Sequence, residues 1–406
     1  MIEQSPGKWL NIWLLAVAAM MAMSLWFSGS AVVPQLTVQW KLTGSQQSWI
    51  TNSVQIGFVF GALVSAILNL GDRIKNQWLF SFSALAGACF NAAIPLLKPS
   101  WDFVLMFRFL TGMMIAGVYP PGMKLMATWC KEDRGLGIGI LVGAIAFGKS
   151  LPHLLNAVAG ANGMPPWQMV MVSTSVIALI AALIAVLFIQ SGPYLSQNAP
   201  FDWSFAIHAL KQKSSRLANY GYLGHMWELY AMWTWAPIFL LTSFQLAGQS
   251  AQSARFAGFA TIAAGGIGCI VAGALADKIG RTTVTILSLV TSGACCLTVG
   301  FFFQHPAALT ILCIIWGFSV VADSAQFSAA VSELTDPRYV GTALAIQTSL
   351  GFLLTLATIG IIPVLVGWVG WQKVFGVLAL GPLFGIINMI RLRKLPESVR
   401  MANGNR

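Results

Sequence analysis

Residues 272–281 read Ala-Gly-Ala-Leu-Ala-Asp277-Lys278-Ile-Gly280-Arg281, and residues 68–76 read Leu-Asn-Leu-Gly-Asp72-Arg73-Ile-Lys75-Asn76. The two acid–base pairs stand at 72 and 277, 205 residues apart in a chain of 406. Each lies between long apolar runs, in a sequence that is 57% hydrophobic and 9% charged, against ~25% charged in soluble domains. One charged turn per half-chain, set between membrane-length runs, predicts two copies of one helical unit.

Apolar runs of ~20 residues, enough to cross a bilayer, recur at 9–34, 47–71, 77–97, 101–127, 135–160, 167–191, 217–243, 253–276, 282–304, 307–332, 341–367 and 371–390. The predicted fold class is therefore an all-α membrane protein of twelve transmembrane helices in two pseudo-symmetric halves. The first half covers 1–191 and the second 217–406, which ends in a short basic tail. Between them, 192–216 reads as a linker, with Pro193, Pro200 and the basic run Lys211, Lys213, Arg216. The run from Trp9 is too long for a signal-peptide core and ends without a small-residue cleavage site, so it is expected to remain as the first span.

A net charge of +11 could signal nucleic acid, but the basic residues sit in short clusters between apolar runs. With the N-terminus inside, seventeen Lys and Arg fall on the cytoplasmic face and four (Lys41, Lys98, Arg255, Lys373) on the other. The positive-inside rule then puts both termini in the cytoplasm and the chain in a plasma membrane, with lipid rather than nucleic acid as its partner. The six cysteines have no metal-ligand spacing and lie in or beside apolar runs, as packing residues do.

Residues 273–281 are similar to the loop signature of the major facilitator superfamily, Gly-x-Leu-Ala-Asp-Arg-x-Gly-Arg. The copy at 68–76 keeps Asp72-Arg73 and departs at Leu68 and at Lys75-Asn76. Arg108-Phe-Leu-Thr-Gly112, with Gly117 and Pro120, resembles the fourth-span signature, and Glu132-Asp-Arg134-Gly135 fits the loop after it. The resemblance implies alternating access, with spans one, four, seven and ten around a central cavity, two, five, eight and eleven completing its walls, and the remaining spans supporting from outside. It assigns Asp72, Arg73, Arg108, Asp277, Lys278 and Arg281 to conformational gating. Span five reads Gly143-Ala-Ile-Ala-Phe-Gly148-Lys149 where proton-driven drug exporters carry a Gly-Pro-x-x-Gly signature, which weighs against drug efflux.

An ionisable group within a span costs at least ~2.5 kcal/mol and so faces a partner or a cavity. Six such groups occur: Arg108, Lys149, His153, His225, Glu228 and Asp323. All fall on the spans that the resemblance assigns to the cavity. Helical spacing puts Lys149, His153 and Asn156 on one face of span five, and Tyr222, His225, Glu228, Met232 and Trp235 on one face of span seven. Trp316, Ser319, Asp323 and Gln326 share a face of span ten, and Gln347, Gly351 and Thr355 one of span eleven.

There is no phosphate-binding Gly-rich loop, no His-Glu-x-x-His and no Gly-x-Ser-x-Gly, so neither nucleotide hydrolysis nor a hydrolase reading has support. The sequence thus reads as a secondary transporter, not an enzyme, with no cofactor, working as a monomer on a small-molecule substrate and protons. Lys149 offers charge to a small anionic solute. His153, Asn156, Tyr222, Trp235, Trp316, Gln326 and Gln347 complete the candidate binding set. Glu228, near the middle of span seven with His225 one turn before it, is the first candidate for the coupling proton. Asp323, nearer the cytoplasmic end and so better hydrated, is the second. Export of hydrophobic or cationic compounds, using the same acids and the deep aromatics, is the alternative; soft-metal import lacks Met-x-x-x-Met or His-x-x-x-Met pairs in spans seven and eight.

Overall fold

The computed structural model describes residues 7–130, 134–158, 165–194, 212–336 and 339–405. Most of the expected linker and the Glu132-Asp133 pair fall outside these residues. Among the described residues, ten helices are long and apolar enough to cross a membrane: α2 (Gly44–Ile67), α3 (Asn76–Leu97), α4 (Trp101–Trp129), α5 (Arg134–Val158), α6 (Trp167–Phe188), α8 (Ala251–Ile279), α9 (Arg281–Phe302), α10 (Pro306–Leu334), α11 (Val340–Val369) and α12 (Trp371–Arg393). The other two spans are a broken α1, in pieces Lys8–Met23, Ser28–Ala31 and Val33–Trp40, and a 34-residue α7, Lys213–Leu246. The polar load of α7, including Asn219, His225 and Glu228, lowers its mean hydropathy although most of it is buried.

The repeat is visible in the helix starts: α3 and α9 begin at 76 and 281, α4 and α10 at 101 and 306, each 205 apart. Breaks repeat as well. The second piece of α4 is Tyr119–Trp129 and that of α10 is Ser324–Leu334, again 205 apart and both 11 residues long. In α4 the break precedes Pro120-Pro121, where a missing N–H and the pre-proline clash favour a new helix start. In α10 it falls at Asp323, whose carbonyl accepts from Gln326 N at 2.9 Å and Phe327 N at 3.2 Å. The break in α1 follows Ser24, whose hydroxyl donates to Met21 O at 2.7 Å and competes with the helix ladder. Gly29 beyond it is required by packing: a Cβ there would lie 2.9 Å from Ile50 Cγ2 and 3.1 Å from Arg108 Nε.

The halves meet along two helix pairs. α5 packs on α8 through glycines: a Cβ on Gly143 would lie 2.7 Å from Gly266 O, and one on Gly266 2.8 Å from Gly143 O. α2 meets α11 near the end opposite the chain termini. Ser48 Oγ donates to Ile359 O at 3.4 Å and Asn52 Nδ2 to Leu356 O at 3.4 Å. Ile359 O is available because Pro363, four residues on, has no N–H to occupy it; Trp235 Nε1 also donates to it, at 3.0 Å. A ring layer of Trp26, Phe58, Tyr230 and Phe352 lies inside this seal, with centroids 4.7–5.7 Å apart. Large exposed apolar side chains, among them Phe82 on α3, Leu187 on α6, Leu297 on α9 and Leu383 on α12, give the supporting helices the outward surface a lipid phase requires.

Candidate substrate site

A cavity of about 60 Å³ lies beneath the ring layer, between the halves. Lys149 from α5, Trp26 from α1, and Tyr222, His225, Tyr230 and Trp233 from α7 reach it, with Tyr119, Ser324, Ser328 and Thr348 lining it on the side of the chain termini.

Lys149 is 6% exposed. Its Nζ donates to Tyr230 Oη at 2.6 Å and lies 4.5 Å from the Trp26 ring centroid and 4.9 Å from those of Tyr230 and Trp233. No carboxylate is among its partners in the described residues. The indole nitrogens of Trp26 and Trp233, both buried, have no hydrogen-bond partner there either. The cage is thus rich in donors and holds an ammonium without a counter-anion. One turn further along α5, His153 is 6% exposed, its ring 6.5 Å from Phe27 and its Nε2 unpartnered among the described residues. Asn156 turns to α1 instead: it donates to Ala31 O at 2.8 Å and accepts from Gln35 Nε2 at 3.2 Å.

The expected single polar face of α7 divides. Tyr222 and His225 meet the cavity. Glu228 points into its own half, fully buried, and accepts from Ser292 Oγ at 2.8 Å, Cys296 Sγ at 3.1 Å and Trp316 Nε1. Three donors from α9 and α10 satisfy the carboxylate there, and no hydrogen bond joins it to His225 among the described residues. Trp316 is occupied by that bond, and Trp235 by the seal at Ile359 O.

His225 turns to α10. Its Nδ1 lies 2.8 Å from Asp323 Oδ1 and its Nε2 2.8 Å from Ser324 Oγ. The two groups are within ion-pair distance, although Asp323 Oδ1 has no well-aligned hydrogen-bond donor among the described residues. Asp323 is 1% exposed, not hydrated as its place nearer the helix end suggested, because His225 covers it; His225 and Ser324 give it contact with the cavity.

The remaining candidates are structural in their contacts. Arg108 is 1% exposed and binds the broken stretch of α1: Trp26 O at 2.7 Å, Leu25 O at 3.2 Å and Ser28 Oγ at 2.9 Å. It also donates to Asn91 Oδ1 at 3.1 Å and Ile50 O at 3.4 Å. A planar fork with five N–H donors fits this set of carbonyl, hydroxyl and amide acceptors. Asp72 pairs with Lys124, while Arg73 and Lys278 are exposed. Arg281 holds Glu333 through two bonds of 2.8 and 2.6 Å and Gln326 Oε1 at 2.8 Å, with Asp277 Oδ1 3.6 Å away. Gln326 is therefore part of the loop clamp, not of the cavity. Gln347 is buried with both amide atoms unpartnered among the described residues and is not among the cavity-lining side chains.

Tyr230, Trp26 and Ser324 were not singled out by spacing. A clue to Trp26 is the run Ser24-Leu-Trp26-Phe-Ser28-Gly29-Ser30, whose small and hydroxyl residues weaken the helix around two large rings.

The family model that matches this sequence is that of the Major Facilitator Superfamily, over residues 14–351 and 219–406. The chain belongs to that superfamily. Within the superfamily it is similar to the niacin transporter NiaP of Acinetobacter baylyi, 24% identical over 318 residues that make up 70% of each chain. Its fold is that of the xylose transporter XylE from E. coli in a partially occluded inward-open conformation (TM-score 0.73, 14% identity, 97% of this chain and 98% of that one). It also matches the nucleoside transporter NupG (TM-score 0.72, 15% identity, 95% of this chain and 100% of that one). As a superfamily transporter and not an enzyme, the protein moves a small molecule across a membrane by alternating access.

Proposed function

We propose that this protein is a proton-coupled symporter of a small organic anion, working as a monomer in the cytoplasmic membrane. One observation carries the reading: the buried ammonium of Lys149 borders the central cavity with no counter-anion among the described residues. A cation left this way recognises a carboxylate, since one charged hydrogen bond to an anion stabilises by ~1.5–3 kcal/mol. It also opposes cationic solutes, which sets the alternative of cationic-drug export aside. The rings of Trp26, Tyr230 and Phe352 beside it offer apolar faces to a planar solute, and the similarity to a niacin transporter makes nicotinate the first solute to test.

The coupling proton is assigned to the His225–Asp323 pair rather than to Glu228. The pair brings two buried ionisable groups to 2.8 Å and reaches the cavity through His225 and Ser324. With the seventeen-to-four distribution of Lys and Arg, the termini lie in the cytoplasm, so the cavity opens inward and the α2–α11 seal faces outward. The experiment is uptake into proteoliposomes under an imposed pH gradient, with nicotinate, other monocarboxylates, a dicarboxylate and an organic cation offered in parallel. Monocarboxylate accumulation that collapses when the gradient is dissipated supports the assignment; accumulation of the cation alone refutes it.

A further inference from the structure

The cage around Lys149 is built from both halves. Lys149 and Trp26 belong to the first, on α5 and α1, whereas Tyr230 and Trp233 belong to α7 of the second. Tyr230 is held in place by its neighbours, with Phe27 stacked at 6.2 Å, Trp233 edge-on at 5.3 Å and Phe352 at 5.0 Å. Four acids among the described residues are engaged elsewhere: Asp323 with His225, Glu228 with its three donors, Glu333 with Arg281 and Asp72 with Lys124.

What this arrangement does in the cycle rests on the anion reading above. A transporter that performs net uptake must reorient unloaded, closing a dry cavity around whatever charge lies there. A bare ammonium opposes that closure, because burying a charge without partners is costly. A carrier so blocked turns over only by exchanging one anion for another. Here the hydroxyl of Tyr230 accepts from the ammonium, and three ring faces present the negative side of their quadrupoles. Tyr230 and Trp233 reach the ammonium from across the boundary, so they join Trp26 around it only when the halves meet.

We propose that Tyr230 takes the place of the transported anion on Lys149 in the unloaded carrier, so that the protein closes without cargo and performs net transport rather than obligatory exchange. Tyr230 is then a positioning residue for the return step. Binding an anion displaces the hydroxyl, so cargo and tyrosine are alternatives for one donor.

The test is Tyr230→Phe, which keeps the ring and removes the acceptor. Spin labels at Gln47→Cys and Gly367→Cys, with the exposed Cys89 replaced by Ser, report the separation of α2 and α11 at the sealed end. Without any solute, Tyr230→Phe should shift the sealed population about tenfold toward separation, the scale of one hydrogen bond to a charged group. Adding nicotinate should reverse the shift. In the Lys149→Met background the same substitution should do nothing, since no ammonium remains to be satisfied. In proteoliposomes, net nicotinate uptake should fall about tenfold more than nicotinate exchange does, by the same hydrogen bond. An unchanged solute-free distance distribution overturns the proposal, as does equal loss of exchange and net uptake. Should the wild type fail to bind nicotinate, the anion reading fails for that solute, while the solute-free distances still decide the role of Tyr230.

Discussion

Replacing Lys149 by Met separates two roles that a buried lysine has in a transporter. If the ammonium serves the solute, Lys149→Met removes one charged hydrogen bond from the bound state, worth ~1.5–3 kcal/mol, or a ~10- to 150-fold rise in Kd. The effect on folding has two opposing parts. Tyr230 Oη loses its donor at 2.6 Å, and an acceptor left bare costs ~1–3 kcal/mol. Against that, an ammonium with no carboxylate partner no longer has to be desolvated, a cost of several kcal/mol per ion. Met matches the length of the stem and packs against Trp26 and Trp233, where sulfur–aromatic contacts stabilise. The expected outcome is a protein as stable as the wild type, or more so, that binds nicotinate at least ~10-fold more weakly. Equilibrium binding of radiolabelled nicotinate and thermal unfolding of the detergent-purified protein measure the two arms. Wild-type affinity together with a large loss of stability would refute the reasoning, because Lys149 would then be a structural cation.

Asp323→Asn and His225→Gln should each abolish accumulation driven by a pH gradient while leaving nicotinate exchange, because neither removes Lys149; uptake followed with and without an imposed gradient decides. Glu228→Gln should retain gradient-driven accumulation, since this carboxylate meets Ser292, Cys296 and Trp316 rather than the cavity. Normal coupling in Asp323→Asn with loss in Glu228→Gln would return the proton to α7. Arg108→Lys should destabilise the protein by at least ~3 kcal/mol, because an ammonium's three donors cannot reach all five acceptors that the guanidinium holds; thermal unfolding in detergent reads this, and an unchanged melting temperature contradicts it. Gly143→Leu should slow both uptake and exchange by forcing α5 off α8, where the backbone of Gly266 leaves no room even for a Cβ; unaltered rates would mean that this contact opens freely.

The fold was legible because a bilayer imposes length and polarity on every span, and the repeat at 72 and 277 doubles the signal. The same lesson appears in α7, where polar residues lower the apolar character without removing the helix, because buried partners satisfy them. The site was legible only in part. Spacing grouped Lys149 with His153 and Glu228 with His225, the family resemblance put their spans at the cavity, and a steps-of-three-and-four pattern cannot tell a face toward a cavity from one toward a neighbouring helix. On α7 the two residues are three apart, about 60° around the axis, which is enough to send one to α9 and the other to the α10 break. Tyr230 escaped notice because a tyrosine in an aromatic-rich span looks like packing until the lysine is seen to lean on it.

The buried charges sort by what they hold together. Arg108 binds α1, α2 and α3 within the first half, through Trp26 O, Ile50 O and Asn91. Glu228 ties α7 to α9 and α10 within the second, through Ser292 and Trp316. Opposite charges thus do the same mechanical work, each satisfied by neutral partners of its own half and unaffected when the halves move. Lys149 differs, since its hydroxyl partner and two of its three ring contacts lie across the boundary between the halves. Its environment therefore changes whenever the halves separate, which the environment of Arg108 does not. A cation whose solvation depends on closure is coupled to closure by thermodynamic linkage: a partner that holds its charge better in the closed arrangement than in the open one favours closure, and closure in turn favours that partner. An anionic solute and Tyr230 compete for that position, and this competition is how cargo makes its presence felt in the conformation of the carrier.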